Sequence, residues 1–422
     1  MVEPVIGLYI VDEAGAQIPD NFIKSFKLYA SIFSSIPGAE IVLDDAEGKF
    51  LSALALKPGN EVAMIAGPGG SETPPDSSIL TMTPLRIMGV HNPGVFTSEN
   101  PQVQLGSLGG DYRIQLAHPW AMQSDWTNHA YRAKHSDIIK SMITAGDQKR
   151  GFKFKNIIID PTDDSGSVTR YKVGESEARF IHQKLLPYTT IDNQAAYSFV
   201  DELGNFQLRS FKRMYDQDPK LTIIPPLSDS MTQGFYNSES NITQFPLYDG
   251  GWWIGRKFLE QLGNFKKKVY VEDPHPDVNL SFVVDLPYQS AIPGFTLMKK
   301  EFIDSITSGT DASIFPFRTF DDVLRLNVNN NGNMNEYFEV SASVDFAADL
   351  ATVGTTINLN LANGVDPTRQ HWLNGKWLVV ASEHSQHADE MRYYSKYLLA
   401  RPAVDGLPSG IDSSTLYNAN IL

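Results

Sequence analysis

The sequence predicts an α+β protein that is mainly β, with two small β-units flanking an α+β segment. Phe338, Val340, Ala342, Val344 and Phe346 fall on one parity, and Glu339, Ser341, Ser343 and Asp345 on the other. Residues 356–361 repeat that alternation, and Trp377-Leu378-Val379-Val380 follows after a turn-rich stretch. One parity faces a core and the other faces solvent, so the C-terminal half is antiparallel sheet built from hairpins. Two further observations complete the prediction: short apolar runs punctuated by turn residues fill the first 118 residues, and helical spacing enters only after them.

Taken in order, strands are expected over 22–30, 39–43, 49–57, 61–66, 85–91 and 112–117. Pro58-Gly59-Asn60 is a tight turn between two of them, and the run from Pro68-Gly69-Gly70 to Pro74-Pro75 is a loop that cannot be strand. Six strands at close spacing make a small barrel or sandwich over residues 1–118. Ser136 then suits the N-cap of a helix in which Ile138, Ile139, Met142 and Ile143 recur at helical spacing and Gly146 ends the run. A second helix is expected over 176–186, with Phe180, Ile181 and Leu185 on one face and Pro187 just after it.

Residues 196–200 and 206–209 read as a hairpin, Tyr197 and Phe199 facing Phe206 and Leu208, which completes an α+β unit over 119–215. Residues 216–295 are rich in Pro, Ser, Asn and Asp and carry Gly250-Gly251-Trp252-Trp253. They are expected to form an insertion that makes contacts, with a helix over 253–265 stopped by Gly263. The second β-unit covers 296–402, closing with strands over 377–383 and 393–399. Residues 403–422, with two prolines and two glycines nearby, read as an extended tail ordered only against a partner.

Composition narrows the function classes. The chain has 422 residues, 42% hydrophobic and 20% charged, which is ordinary globular composition with room for several domains. Thirty-five Lys and Arg stand against 49 Asp and Glu, so the surface as a whole repels phosphate backbones and anionic lipid. Specific nucleic-acid binding is not expected, whereas a conduit past which DNA must slide would want this sign of charge. With no cysteine, disulfides, thiolate metal sites and cysteine nucleophiles are excluded, as suits a protein made in a reducing cytosol. Neither a signal peptide nor a membrane span is expected.

Several local patterns occur in a fixed order. Residues 40–43 and 49–56 lead into Pro58-Gly59-Asn60-Glu61-Val62, and residues 85–91 take the place of a following barrel strand. Ser136-Asp137-Ile138-Ile139-Lys140-Ser141-Met142-Ile143 comes next, then a helix pattern in Glu175-Ser176-Glu177-Ala178-Arg179-Phe180-Ile181 that runs on to Leu186. Tyr197-Ser198-Phe199-Val200-Asp201-Glu202-Leu203-Gly204 and Asn374-Gly375-Lys376-Trp377-Leu378-Val379, ending in Glu383-His384, complete the series. This series resembles the baseplate hub proteins of long-tailed phages, the family that includes late control protein D of contractile phages and the N-terminal part of VgrG. The resemblance implies two tail-tube-like β-barrels per subunit in a homotrimer, so that three subunits present six similar units around a channel. It also implies a virion location in the tail baseplate, after synthesis in the host cytoplasm. The partners implied are the tail tube protein, the central spike protein, and baseplate wedge or tape measure proteins. The stretch 216–295 is longer than that pattern, and the chain carries no appended lysozyme or spike domain, so those roles are expected in separate chains.

Candidate chemistry is outweighed by structural readings. His384 and His387, in the cluster Glu383-His384-Ser385-Gln386-His387-Ala388-Asp389-Glu390, are three apart as on one helix face, but no zinc-helix pattern accompanies them. A strand end followed by a polar loop explains them better. Asp160, Asp163, Asp164 and Gly166 lack the spacing of a calcium loop and read as a solvated turn. Asn329-Asn330-Asn331-Gly332-Asn333 reads as a turn between strands. There is no Gly-x-Ser-x-Gly elbow and no phosphate-cradling loop. No catalytic, cofactor-binding or metal residue is assigned, and the chain is expected to be a structural, non-enzymatic virion protein. The alternative is a glycan-binding or peptidoglycan-cleaving tail component, with Trp120, Trp252 and Trp253 as a sugar platform and an acid pair beside it.

Overall fold

The computed structural model describes residues 6–12, 17–18, 22–45, 57–68, 80–81, 84–91, 110–122, 127–145, 152–192, 194–224, 235–237, 242–246, 249–254, 266–272, 279–285, 311–316, 338–345, 351–361, 373–387 and 392–401. The architecture is mainly β with a few helices.

The N-terminal unit consists of β1 (Ile6–Asp12), β2 (Gln17–Ile18), β3 (Ile23–Ser31), β4 (Gly38–Asp45), β5 (Glu61–Pro68), β6 (Leu80–Thr81), β7 (Leu85–His91) and β8 (Gly110–Ala117). Its spatial order is β3-β4-β8-β7-β5-β1-β2, with β6 on β5. All these pairs are antiparallel. Period-two burial explains the sheet: Phe26, Leu28, Ile41, Ile87, Ile114 and Leu116 turn inward and are almost fully buried. Each such Phe, Leu or Ile contributes about 1.5–3 kcal/mol on burial. Expected strand 49–57 falls, up to residue 56, outside the described residues, and Pro68, read as loop, closes β5 opposite Ile6.

The middle unit holds β9 (His129–Tyr131), α1 (His135–Ala145), β10 (Ile157–Ile159), β11 (Arg170–Lys172), α2 (Glu177–Phe180), β12 (Thr190–Ile191), β13 (Gln194–Val200), β14 (Phe206–Ser210) and α3 (Phe211–Tyr215). Helix α2 runs on through a π-helical turn at Ile181–Leu185 and a 3-10 turn at Leu186–Tyr188. Ser176 caps α2 by accepting from the Arg179 N–H, and Phe180, Ile181 and Leu185 are buried together as expected. Strands β10-β14-β13-β12 make one sheet, β10 parallel to β14, and β9 and β11 make a separate ribbon.

Two expectations here are corrected. Ser136 is not the cap of α1 but lies inside it, buried; the His135 N–H donates to both Asp164 carboxylate oxygens at 3.1 Å, and the Ser136 N–H donates to Thr162 Oγ1 at 3.1 Å. The cap thus comes from a distant loop, because the residue at the N-cap position, Lys134, supplies only its carbonyl, which accepts from Ile138. In the hairpin, Tyr197 pairs with Arg209 and Phe199 with Gln207, while Phe206 and Leu208 oppose Val200 and Ser198. Tyr197 and Phe199 therefore lie on one face, and Phe206 and Leu208 on the other, of a sheet buried on both sides.

The C-terminal unit begins at β15 (Pro219–Ile224) and adds β16 (Phe235–Asn237), β17 (Ile242–Pro246), β18 (Asp249–Ile254), β22 (Phe338–Asp345), β23 (Thr356–Leu359), β24 (Gly375–His387) and β25 (Arg392–Arg401). Strands β19 (Lys266–Glu272), β20 (Asn279–Asp285) and β21 (Asp311–Pro316) form a sheet of their own. Trp253, expected to open a helix, lies in β18, which pairs antiparallel with β22; residues 255–265 fall outside the described residues. Residues 219–224, read as part of an insertion, are an inner strand between β17 and β23, with Leu221 and Ile223 fully buried. The expected turn 329–333 and tail 403–422 also lie outside the described residues.

N- and C-terminal units join in one sixteen-stranded sheet. Among the described residues its pairings branch at β24 and stay open rather than closing into a barrel. The two units share one strand order: β1-β5-β7-β8-β4-β3 in the first corresponds to β15-β23-β24-β25-β22-β18 in the second, the last strand of each lying between the one before it and an earlier one, although β15 pairs parallel with β23 where β1 pairs antiparallel with β5.

Candidate assembly interface

Strand β24 is where the two units meet. One of its edges pairs with β25 throughout, from Leu378 opposite Ala400 to His387 opposite Arg392. The other edge is divided: Gly375 to Leu378 pair with β23, and Ala381 to His387 pair with β3 from Ser31 back to Ser25. The handover falls at a bulge between Val379 and Ala381, where the Val380 carbonyl accepts from the Ile32 N–H at 2.9 Å and from Ser31 Oγ at 3.2 Å.

Sequence explains why one strand serves two sheets. Trp377, Leu378, Val379 and Val380 are buried without alternation, as in a strand covered on both faces, whereas Ala381 to His384 alternate. Trp377 Nε1 donates to the Leu373 carbonyl at 2.8 Å, and the Arg401 guanidinium lies 5.7 Å from its ring while Nη1 donates to the Asn374 carbonyl. Across the handover, Lys396, Glu383, Tyr29, Gly38, Ala117, Arg86 and Glu61 form one unbroken cross-strand row through seven strands. Tyr29 is exposed and lies over Gly38, where a Cβ would sit 2.8 Å from its ring.

A polar cluster locks the middle unit into this junction. Glu202, in the turn between β13 and β14, is fully buried; Oε1 accepts a short hydrogen bond from Ser382 Oγ and Oε2 accepts from the Val353 N–H at 3.2 Å. His384 Nε2 is 3.6 Å from Glu202 Oε1, and its Nδ1 is 2.9 Å from Ser395 Oγ on β25. A serine, a histidine and a carboxylate in this order have the composition of a nucleophile and its base. His384 and Ser395 are 0% exposed, however, so no substrate reaches them and the cluster holds strands together.

Next to Glu202, Asp201 accepts from the Leu203 and Asn205 N–H groups and from the Asn205 and Gln207 side chains. Burial, and then the neighbouring Glu202 charge, pushes the Asp201 carboxyl up to about 6. Burial alone holds His118 down to about 3 and His182 to about 4.

The other sequence candidates separate. His384 and His387 both lie in β24, His387 as its last residue, so the expected strand end is there and the helix face that would have joined them does not form; the polar stretch 388–391 falls outside the described residues. The aspartate loop is solvated only in part: Asp164 caps α1 in the interior, whereas the exposed Asp163 accepts from the Asp192 N–H at 3.2 Å and the half-buried Asp160 pairs with Arg209 at 3.4 Å. Its carboxylates point at different partners, and Gly166 (φ +71°) is required because a Cβ would meet the Lys134 nitrogen at 2.6 Å. Trp120 is buried against Phe154 and Phe206, which removes it from a sugar platform. Trp252 and Trp253 lie in β18. Glu202, Ser382 and Ser395 were not singled out from sequence, because a turn acid and two strand serines look solvated until the sheets are assembled.

No family model matches the chain, and no curated protein matches it by sequence. Solved structures do. A tail protein from Neisseria meningitidis MC58 superposes with a TM-score of 0.53 at 7% identity, covering 94% of this chain and 96% of that one. The 43 kDa tail protein of prophage MuSo2 from Shewanella oneidensis gives 0.53 at 9% identity, covering 95% of this chain and 100% of that one. The fold of this chain is thus similar, over nearly its whole length, to that of these two tail proteins.

Proposed function

We propose that this protein is the structural baseplate hub of a phage tail, a homotrimeric ring that adapts the sixfold tail tube to the threefold central spike and encloses the DNA channel. The observation that carries the reading is the β3·β24 pairing, by which two β-units of one polypeptide are joined edge to edge. A tube ring built from β-units needs this kind of contact between neighbours; here one of every two contacts is made within the subunit, and three subunits supply six units. The likeness to two tail proteins over the full length supports the same reading.

In this reading the unit at 1–118 and the C-terminal unit, made of β15–β18 together with 296–402, act as the two tube-like barrels, 119–215 is the α+β domain that braces them, the remainder of 216–295 meets baseplate wedge or tape measure proteins, and 403–422 wraps a partner. Upper and lower faces of the ring meet the tail tube protein and the central spike protein. The protein works in the virion tail by geometry and charge, not by turnover. A formal net charge of -14 keeps the channel wall from holding DNA. Reconstruction of the assembled tail tip tests this: three copies between tube and spike are expected, and one or six copies, or a position away from the tube axis, overturns it.

A further inference from the structure

The strand order common to the two units extends to single hydrogen bonds. In the second unit the Gly354 N–H donates to the Val379 carbonyl and the Val379 N–H to the Thr355 carbonyl, both at 2.9 Å. In the first, the Gly59 N–H donates to the Ile87 carbonyl at 2.8 Å and the Ile87 N–H to the Asn60 carbonyl at 2.9 Å. Gly354 and Gly59 share a left-handed backbone, at φ +81° and +96°. The strands that follow carry the same irregularity: β24 skips a residue against β25 between Val379 and Ala381, and β7 skips one against β8 between Ile87 and Gly89. Val90 is therefore the counterpart of Ser382. At the other side of each unit, Gly38 and Glu339 face Ala117 and Ala400, and are themselves faced by Tyr29 of β3 and Trp253 of β18. Ile254 is thus the counterpart of Ala30.

Within the chain only half of this pattern is joined. Beyond its bulge β24 receives β3, with Ser382 opposite Ala30 and the Val380 carbonyl accepting from the Ile32 N–H. Beyond its bulge β7 receives nothing comparable: β5 reaches Leu85 and Arg86, and among the described residues no strand lies along that edge at Gly89 and Val90. β18, the counterpart of β3, pairs with β22 alone among the described strands. Neither Met88-Gly89-Val90 nor the run from Gly250 to Ile254 contains the lysine or proline that commonly guards a solvent-facing edge.

We infer that β18 of one molecule adds antiparallel to β7 of a second copy of the chain, with Ile254 opposite Val90. The occupant follows from repetition, because this contact copies between molecules the β3·β24 contact already made between the two units of one molecule. Its two edges differ, so the contact is heterologous, and its repetition runs in one direction until it closes into a ring. Backbone hydrogen bonds supply the direction and the register. The inference rests on the homotrimeric reading above and assigns it a surface.

The chain has no cysteine, so Val90→Cys and Ile254→Cys supply the only thiols. Directly opposite residues of an antiparallel pair have Cα atoms about 4.5–5.5 Å apart, within disulfide reach. Mild oxidation of an equal mixture of the two single variants is expected to give covalent dimers containing one chain of each kind, and Val90→Cys mixed with Asp249→Cys, away from that register, none. Site-resolved amide exchange on the wild-type oligomer is independent of any substitution. The Val90 and Ile254 amides are expected to exchange at least about tenfold more slowly than in an unstructured chain. Variants that form trimers without the 90–254 bond, an equal yield with Asp249→Cys, or a wild-type trimer that leaves both amides unprotected overturns the inference and leaves the trimer standing. A wild-type chain that is monomeric at every concentration removes both.

Discussion

Glu202 Oε1 lies 3.6 Å from His384 Nε2, both residues without solvent contact, and this pair ties the turn of the β13–β14 hairpin to the strand shared by the two β-units. Glu202→Ala would leave the Ser382 hydroxyl and the Val353 N–H buried without an acceptor. The expected loss is about 2–4 kcal/mol in urea unfolding, with Glu202→Gln, which keeps a carbonyl acceptor, losing less. Equal stability of wild type and Glu202→Ala would show that the cluster does not hold the junction.

Asp164 should be the cap of α1 despite being 29 residues from it. Asp164→Ala is expected to destabilise by about 1–2 kcal/mol and to speed amide exchange at His135. Ser136→Ala leaves both Asp164 bonds in place and is expected to cost less. A larger loss from Ser136→Ala than from Asp164→Ala would return the cap to the local residue.

The fold shows what a sequence can and cannot reveal here. Residues 85–91 are a strand to the residue, and Phe180, Ile181 and Leu185 form a buried helical face, because each depends on spacing within one segment. Asp164 reads as solvated in sequence because its partner is across a loop, and the sides taken by Tyr197 and Phe199 are not legible because a strand buried on both faces erases the alternation that tells its sides apart. β24 was cut short at residue 383 since Ser385-Gln386-His387 looks like loop; those polar residues are strand because β25 and β3 flank them. Trp253 was placed in a helix on the strength of a following glycine, while its long-range pairing with Glu339 decided otherwise.

Asp201 gives a pH dependence of definite sign. Its folded carboxyl titrates at about 6 against an ordinary 3.8, so the folded form binds the proton more tightly than the unfolded chain. Its stabilising contribution is full below pH 3.8 and is lost as pH rises through about 6, a change on the order of 3 kcal/mol. Relative to Asp201→Asn, wild type should therefore lose stability between pH 4 and 6.5 and then level off. A difference that grows with pH over that range would contradict the assignment.

His182 acts in the opposite direction. Burial lowers it from 6.5 to about 4, so the stability of the neutral ring is present above 6.5 and is lost as pH falls toward 4. His182→Gln should flatten that acid arm in chemical denaturation without touching the arm due to Asp201. An acid arm of unchanged slope would show that the ring is already charged or solvated.

Gly354, at φ +81°, leaves no room for a side chain, since a Cβ would meet Phe199 Cζ at 2.7 Å. Gly354→Ala combines that overlap with a left-handed backbone, and a loss of about 2–3 kcal/mol is expected. The thermal midpoint measures it, and an unchanged midpoint would mean that Phe199 moves aside freely.

The central claim is that three molecules, each with two edge-joined β-units, imitate a ring of six. Native mass spectrometry of the purified chain, alone and with its spike protein, tests that most directly. A dominant species at three times the 46.9 kDa subunit mass, with threefold symmetry in projection, is the expected result. A stable dimer or a true hexamer would contradict it.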